Sequence, residues 1–171
     1  MTSEADNAAL LEFPASIGDE QRIFGFEADF ARDLRCIPMA ARFKLDRCRV
    51  KLSLRQWSRF GADNRRHLLE RRCDSPAEIV AYERKLIELI GICGKDAVVL
   101  LPLDPHPEWN DVGQIPAQVI SQAMIAGVAP PSLSCWRRLS TLERFALLKL
   151  ARSNHDNHNF LLALREFGIA T

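Results

Sequence analysis

Two stretches of the chain echo each other, and they constrain it to helical packing. One reads Trp57-Ser58-Arg59-Phe60, then Asn64-Arg65, then Leu68-Leu69; the other reads Trp136-Arg137-Arg138-Leu139, then Glu143-Arg144, then Leu147-Leu148. The tryptophan, the arginine two later, the apolar residue three later, the arginine eight later and the leucine pair eleven and twelve later all coincide. The shared spacing predicts two similar helix-turn-helix packing units, an internal repeat. Each indole carries a large apolar area that a small helical domain needs to bury, so both tryptophans are expected as core anchors. The functional alternative makes one of them a hot spot for a partner.

Helix starts and stops are written in the same direct way. Ser75-Pro76-Ala77-Glu78 combines a capping serine, a proline in the first helical position and a glutamate that reaches back. Ile79, Tyr82, Leu86, Leu89 and Ile90 then form a buried stripe as far as Gly91. Ser53 caps a short helix through Phe60 that Gly61 ends, and Ala62 or Asp63 begins the next, through about Arg71. Ser132 or Ser134 caps the Trp136 helix, and Ser140-Thr141-Leu142-Glu143 opens another to about Ala151. A helix over Gln114–Ala126 has Pro116 near its start, and Phe160–Phe167 forms a last helix closed by Gly168.

Three places are less direct. Phe26, Phe30 and Leu34, spaced by four, predict a short helix over Phe24–Leu34, which Ile37-Pro38 must break. Pro38 then opens a new helix. From Met39 onward the pattern divides: Ala41, Leu45 and Cys48 follow a helical face, while Cys48, Val50 and Leu52 alternate like a strand. Helix is preferred, because alanine and long straight side chains dominate before Val50. Val98–Leu101 is a short apolar run with no evident strand partner and is expected as extended chain. Leu101–Gly113, with three prolines and an Asn-Asp pair, reads as a long surface loop.

These elements define an all-α protein: a single compact domain of seven to eight short helices over residues 23–171, behind a disordered or loosely packed acidic tail over residues 1–22. A chain of 171 residues suits one such domain and a sizeable core. No run of about 18 apolar residues is present, so no membrane span is expected. The start lacks a basic segment followed by an apolar one, so a secretory signal is not expected either.

The net charge is only +1 but is unevenly spread. Arg42 to Arg72 holds eleven Lys/Arg against three Asp/Glu, whereas Met1 to Ala31 holds seven Asp/Glu against one Lys/Arg. An acidic end and a basic middle can attract each other, or the basic face can meet an acidic partner. Arg47, Arg49, Lys51, Arg55 and Arg59 are the candidate partner-binding residues, since arginine pairs bidentately with carboxylates. The same stretch raises a nucleic-acid alternative; the near-neutral chain argues against it, because phosphate binding draws on an excess of positive charge.

Catalytic signatures do not stand out. There is no G-x-G-x-x-G, Walker loop, H-E-x-x-H or nucleophile elbow. The five cysteines, at 36, 48, 73, 93 and 135, include no C-x-x-C and fit reduced thiols in the cytoplasm. His155 and His158 with Asp156 between them are the best metal-like group, set in a polar loop over Asn154–Asn159. His106, Glu108 and Asp111 form a second polar cluster in the proline-rich loop, and His67 sits in a basic helix. Solvated or hydrogen-bonded loop residues account for both clusters, so neither metal nor cofactor is expected. A small metal- or redox-binding carrier using Cys and His is the alternative of a different class.

Longer strings narrow the field. FEADFARDLRCIPMAARFKLD, KLSLRQWSRF, CDSPAEIVAYERKL and LSTLERFALLKLARSNHDNHNFLLALREFG resemble the conserved nitrate-reductase-associated protein family of cyanobacterial type, from about Phe26 to Gly168. The resemblance implies a non-catalytic, cytoplasmic accessory of assimilatory nitrate reductase. It would act in maturation, cofactor loading or activity by protein contact, with nitrate reductase or a molybdenum-cofactor assembly protein as partner. Genes of the family lie near those for the enzyme and its cofactor. The resemblance carries over no catalytic residues. One departure is Leu162, where the family pattern has a proline; it touches helix geometry, not a reaction centre.

Overall fold

The computed structural model describes residues 22–94, 96–152 and 158–170. Among these the chain forms nine α-helices and one two-stranded sheet, so the all-α class holds. A 3-10 turn at Gly25–Glu27 leads into α1 (Ala28–Ala31), then α2 (Met39–Arg47), β1 (Val50–Lys51), α3 (Leu54–Arg59), α4 (Ala62–Glu70) and α5 (Pro76–Cys93). After β2 (Val99–Leu100) and a 3-10 turn at Glu108–Asn110 come α6 (Ala117–Ile125), α7 (Leu133–Arg138), α8 (Thr141–Ala151) and α9 (His158–Glu166).

The caps follow the sequence signals. Ser53, Ser75 and Ser140 each accept the amide three residues on, and Gln56, Glu78 and Glu143 reach back to the capping backbone. Ser132, not Ser134, caps α7. Gly127 and Gly168 take positive φ just beyond α6 and α9, the left-handed stop at which glycine carries no Cβ penalty.

Helix α8 is the axis of the molecule. It packs against α2, α6, α9 and the 3-10 turn at Glu108–Asn110. Seven of its residues are buried, among them Leu142, Phe145, Leu147 and Leu150. A helix buried on so many sides must satisfy any charge it carries. Arg144 does so by donating to the carbonyls of Trp109 (2.7 Å) and Leu139 (2.5 Å) and to Thr141 Oγ1 (3.2 Å). Lys44 of α2 is fully buried and donates to Leu69 O (2.6 Å) and Arg71 O (2.7 Å). Those carbonyls are left over where α4 ends, and a cation is favoured there. Buried Glu27 accepts the amides of Phe24 (3.1 Å) and Met39 (3.0 Å), the latter at the start of α2.

The N-terminal approach is fastened to the last helix. Glu166 accepts the amides of Gly25 (3.0 Å) and Phe26 (3.2 Å) and pairs with Arg22 at 3.1 Å. Phe167 meets Phe24 edge-on at 5.2 Å between centroids.

The two echoing stretches share local form. Each is a six-residue helix carrying a buried tryptophan, two extended residues and a second helix. Trp57 donates its indole N–H to Leu34 O at 2.7 Å, and Trp136 to Asp111 O at 2.9 Å. The arginines eight residues on behave alike: Arg65 donates to Leu34 O at 2.8 Å, and Arg144 is described above. Their surroundings differ. Most of α4 is exposed apart from Leu68 and Leu69, whereas α8 is central.

Three local expectations are corrected. Val98–Leu101 does have a partner: β2 pairs antiparallel with β1, Val50 opposite Leu100 and Lys51 opposite Val99. The helix before it ends at Arg47, and Arg49 at φ 61° turns the chain into the strand. Over Phe24–Leu34 there is no continuous helix but the 3-10 turn, four-residue α1 and a left-handed Leu34 at φ 56°. Pro38 and Pro116 stand before their helices as caps, not inside the first turn. The tail over residues 1–21 lies outside the described residues.

Candidate partner-binding site

Three rings from three elements make a floor. Phe43 of α2, Trp109 of the 3-10 turn and Phe145 of α8 meet edge-to-face, with centroids 5.1 to 6.4 Å apart. Trp109 is held in place by Arg144, whose Nε binds its carbonyl. Cations lie over this floor: the Arg47 guanidinium is 5.2 Å from the Phe43 centroid and Lys149 Nζ is 5.3 Å from that of Phe145. Above it opens a cleft of about 760 Å³, walled by α2, α8 and the proline-rich segment after β2. That size is in the range of ligand-binding clefts.

Ion pairs stitch the walls together. Arg47 reaches Asp74 Oδ1 at 3.1 Å and also donates to Asp74 O at 2.8 Å. Lys149 pairs with Asp46 at 2.6 Å, and Arg152 pairs with Glu108. Arg49 donates from Nε to Leu101 O at 3.0 Å, joining the end of α2 to the rim. The rim itself is apolar and open: Leu103 is 69% exposed beside Pro102 and Pro105.

Of the five basic residues singled out from the sequence, Arg47 and Arg49 line this cleft. Lys51 and Arg55 are exposed and do not line it, and Arg59 is tied to Asp96 at 2.6 Å. Sequence inspection missed Trp109, Lys149 and Arg152, which approach Arg47 and Arg49 only through the fold. The available signal was the length of the irregular, proline-rich stretch from Leu101, since long ordered loops are commonly functional.

The polar clusters separate. His106 is exposed, its amide bound to Asp104 Oδ1 at 3.0 Å; Glu108 is committed to Arg152; and Asp111 Oδ1 accepts the Gly113 amide at 2.7 Å. His158 is the exposed first residue of α9, while His155 and Asp156 lie outside the described residues. His67 is exposed on α4, its ring 3.3 Å from Arg71 Nη1. Among the described residues the five cysteines form no disulfide, and Cys48 and Cys73 are buried. Burial pushes the Cys48 thiol up to about 11. The Cys135 thiol is held below its ordinary value by a hydrogen bond from Ser132 and by nearby Arg138. Among the described residues no three His, Cys, Asp or Glu gather to hold a metal ion. Nor is any helix there long and apolar enough to cross a membrane.

Fold and cleft together define a mainly helical protein with a charged, aromatic-floored groove. The chain belongs to the family described as conserved nitrate reductase-associated protein, whose model matches residues 23–167. Comparison with curated proteins gave no match, and neither did comparison with solved structures.

Proposed function

We propose that this protein is a non-catalytic accessory of assimilatory nitrate reductase. It works in the cytoplasm by direct contact with the enzyme or with a molybdenum-cofactor assembly protein, and serves maturation, cofactor loading or activity. Membership of a nitrate reductase-associated family supports the partner class. Five cysteines without a disulfide among the described residues fit a reducing compartment. The observation that carries contact as the mode of action is the basic run itself. Arg47 and Arg49 stand in the cleft wall, and Lys51 and Arg55 remain exposed just beyond it. Such charges steer association and fix register more than they set affinity.

The test is the double reversal Lys51→Glu/Arg55→Glu. Both side chains are exposed, so the fold should survive at a cost under about 0.5 kcal/mol per site. The variant should lose retention of tagged nitrate reductase and fail to restore growth on nitrate to a deletion strain, with growth on ammonium normal. Full complementation would exclude this surface. A deletion strain with undiminished nitrate reductase activity would sink the accessory role.

A further inference from the structure

Four cations line the cleft, and three are matched by carboxylates of the same chain: Arg47 by Asp74, Lys149 by Asp46 and Arg152 by Glu108. Arg49 is the exception. Among the described residues its partner is a carbonyl, Leu101 O at 3.0 Å from Nε, and not a carboxylate. Its backbone is held at φ 61°, where a residue with a Cβ is strained. Two bonds fix it there: its amide to Asp46 O at 3.1 Å, and the Leu101 amide to its own carbonyl at 2.6 Å. With the backbone and Nε pinned, and no bond from either Nη group among the described residues, the guanidinium presents those two groups as a pair of donors. That fork matches the two oxygens of a carboxylate.

A free small anion is a poor occupant. One partly solvated ion pair contributes little in water, so the carboxylate must arrive on something that also buries apolar surface. The rim supplies that surface, with Leu103 exposed at one side and Leu101 and Trp109 half-buried behind it. We propose that the cleft seats an extended segment of a partner protein, with a single acidic side chain on Arg49 and apolar neighbours against Leu101, Leu103 and Trp109. Asp104, which accepts the His106 amide, also lines the cleft and disfavours a second acid nearby. The assignment rests on the accessory role proposed above, and it names the chemistry of the partner segment.

The test uses the full chain and a blocked peptide, Gly-Leu-Glu-Leu-Gly, followed through the three indole N–H signals by NMR. Trp57 and Trp136 are buried and Trp109 lines the cleft, so the peptide should move the Trp109 signal alone. Arg49→Gly removes the guanidinium and accepts the positive φ without strain, so it should fold and bind at least about tenfold more weakly. The Gln counterpart of the peptide should lose as much. Leu103→Ser, on an exposed side chain, should weaken binding severalfold and provides a second variant independent of Arg49. Equal affinity for the Glu and Gln peptides, unchanged binding by Arg49→Gly, or saturation of the Trp109 shift by acetate alone would each overturn the assignment. If Arg49→Gly still retains nitrate reductase fully, the cleft loses its role and the accessory function stands. If the wild-type chain fails to retain the enzyme while the peptide binds, the accessory function falls and the cleft stands.

Discussion

Two donors converge on one buried carbonyl, and a double-mutant cycle can weigh that arrangement. Leu34, only 7% exposed and at φ 56°, offers its oxygen to the Trp57 indole at 2.7 Å and to Arg65 Nη1 at 2.8 Å. Trp57→Phe keeps an aromatic ring in the core but deletes the N–H and leaves a small void. The void costs roughly 1–2 kcal/mol and the lost bond about 1 kcal/mol. The carbonyl itself keeps Arg65. Arg65→Met alone loses a bond of about 1 kcal/mol but also removes the buried Arg65 Nε, which has no partner among the described residues, so it should be nearly neutral. The double variant strands the carbonyl, a desolvation cost of about 1–3 kcal/mol that neither single change incurs. Its destabilisation should therefore exceed the sum of the singles by about 1 kcal/mol or more, a further drop of roughly 2–4 °C in Tm per kcal/mol. Urea unfolding with equal slopes for all four proteins provides the measurement. Additivity within about 0.3–0.5 kcal/mol would show that the two donors do not share the carbonyl in any energetic sense.

Three further outcomes are expected. Burial raises the Glu27 carboxyl above its ordinary 4.5, ahead of the lowering by the Met39 and Phe24 amides. The protonated form is thus favoured in the folded state, and the resulting stability is fully present below about pH 4.5 and lost as pH rises through the raised value. Measured against Glu27→Gln, the wild type should gain stability on acidification from neutral pH; a flat difference would exclude a raised carboxyl. Ser140→Ala removes the cap of the central helix and should cost about 1 kcal/mol by calorimetry; an unchanged transition would mean that water replaces the cap. Alkylation of the native protein at pH 8 should label Cys135 before Cys48, whose thiol is buried and pushed up to about 11. Mass mapping that finds Cys48 modified first would contradict that burial.

Capping boxes are legible because they are local. Ser53, Ser75 and Ser140 each bind a partner three residues away, so a short window holds both halves of the interaction. The tryptophans are legible for a different reason, since so large an apolar side chain has few places to go but inside. The sheet was hidden: each strand has only two residues, too few for alternation to register, and its partner lies about fifty positions along the chain. Leu34 and Arg49 were hidden too, because nothing in leucine or arginine announces a left-handed backbone; tertiary bonds to Trp57, Arg65 and Leu101 hold them there. The cleft was legible by half. Arg47 and Arg49 belong to an evident basic run, but Lys149 and Arg152 look like ordinary helix-surface residues until α8 crosses α2.

The bond between Glu166 and the Gly25–Phe26 amides spans about 140 positions of sequence. A ribosome makes the chain from the other end, so Phe24 and Phe26 emerge long before the carboxylate and the Phe167 ring that receive them. Until α9 is made, Phe24 and Phe26 have each other but not the Phe167 ring, and the Gly25 and Phe26 amides lack the Glu166 carboxylate, so the nascent chain carries that sticky surface over about 140 further residues of synthesis. Truncation within α9 should thus behave less like the loss of one helix than like the unfastening of a distant one, exposing the Phe24–Phe26 segment together with the broken helix to chaperones and proteases.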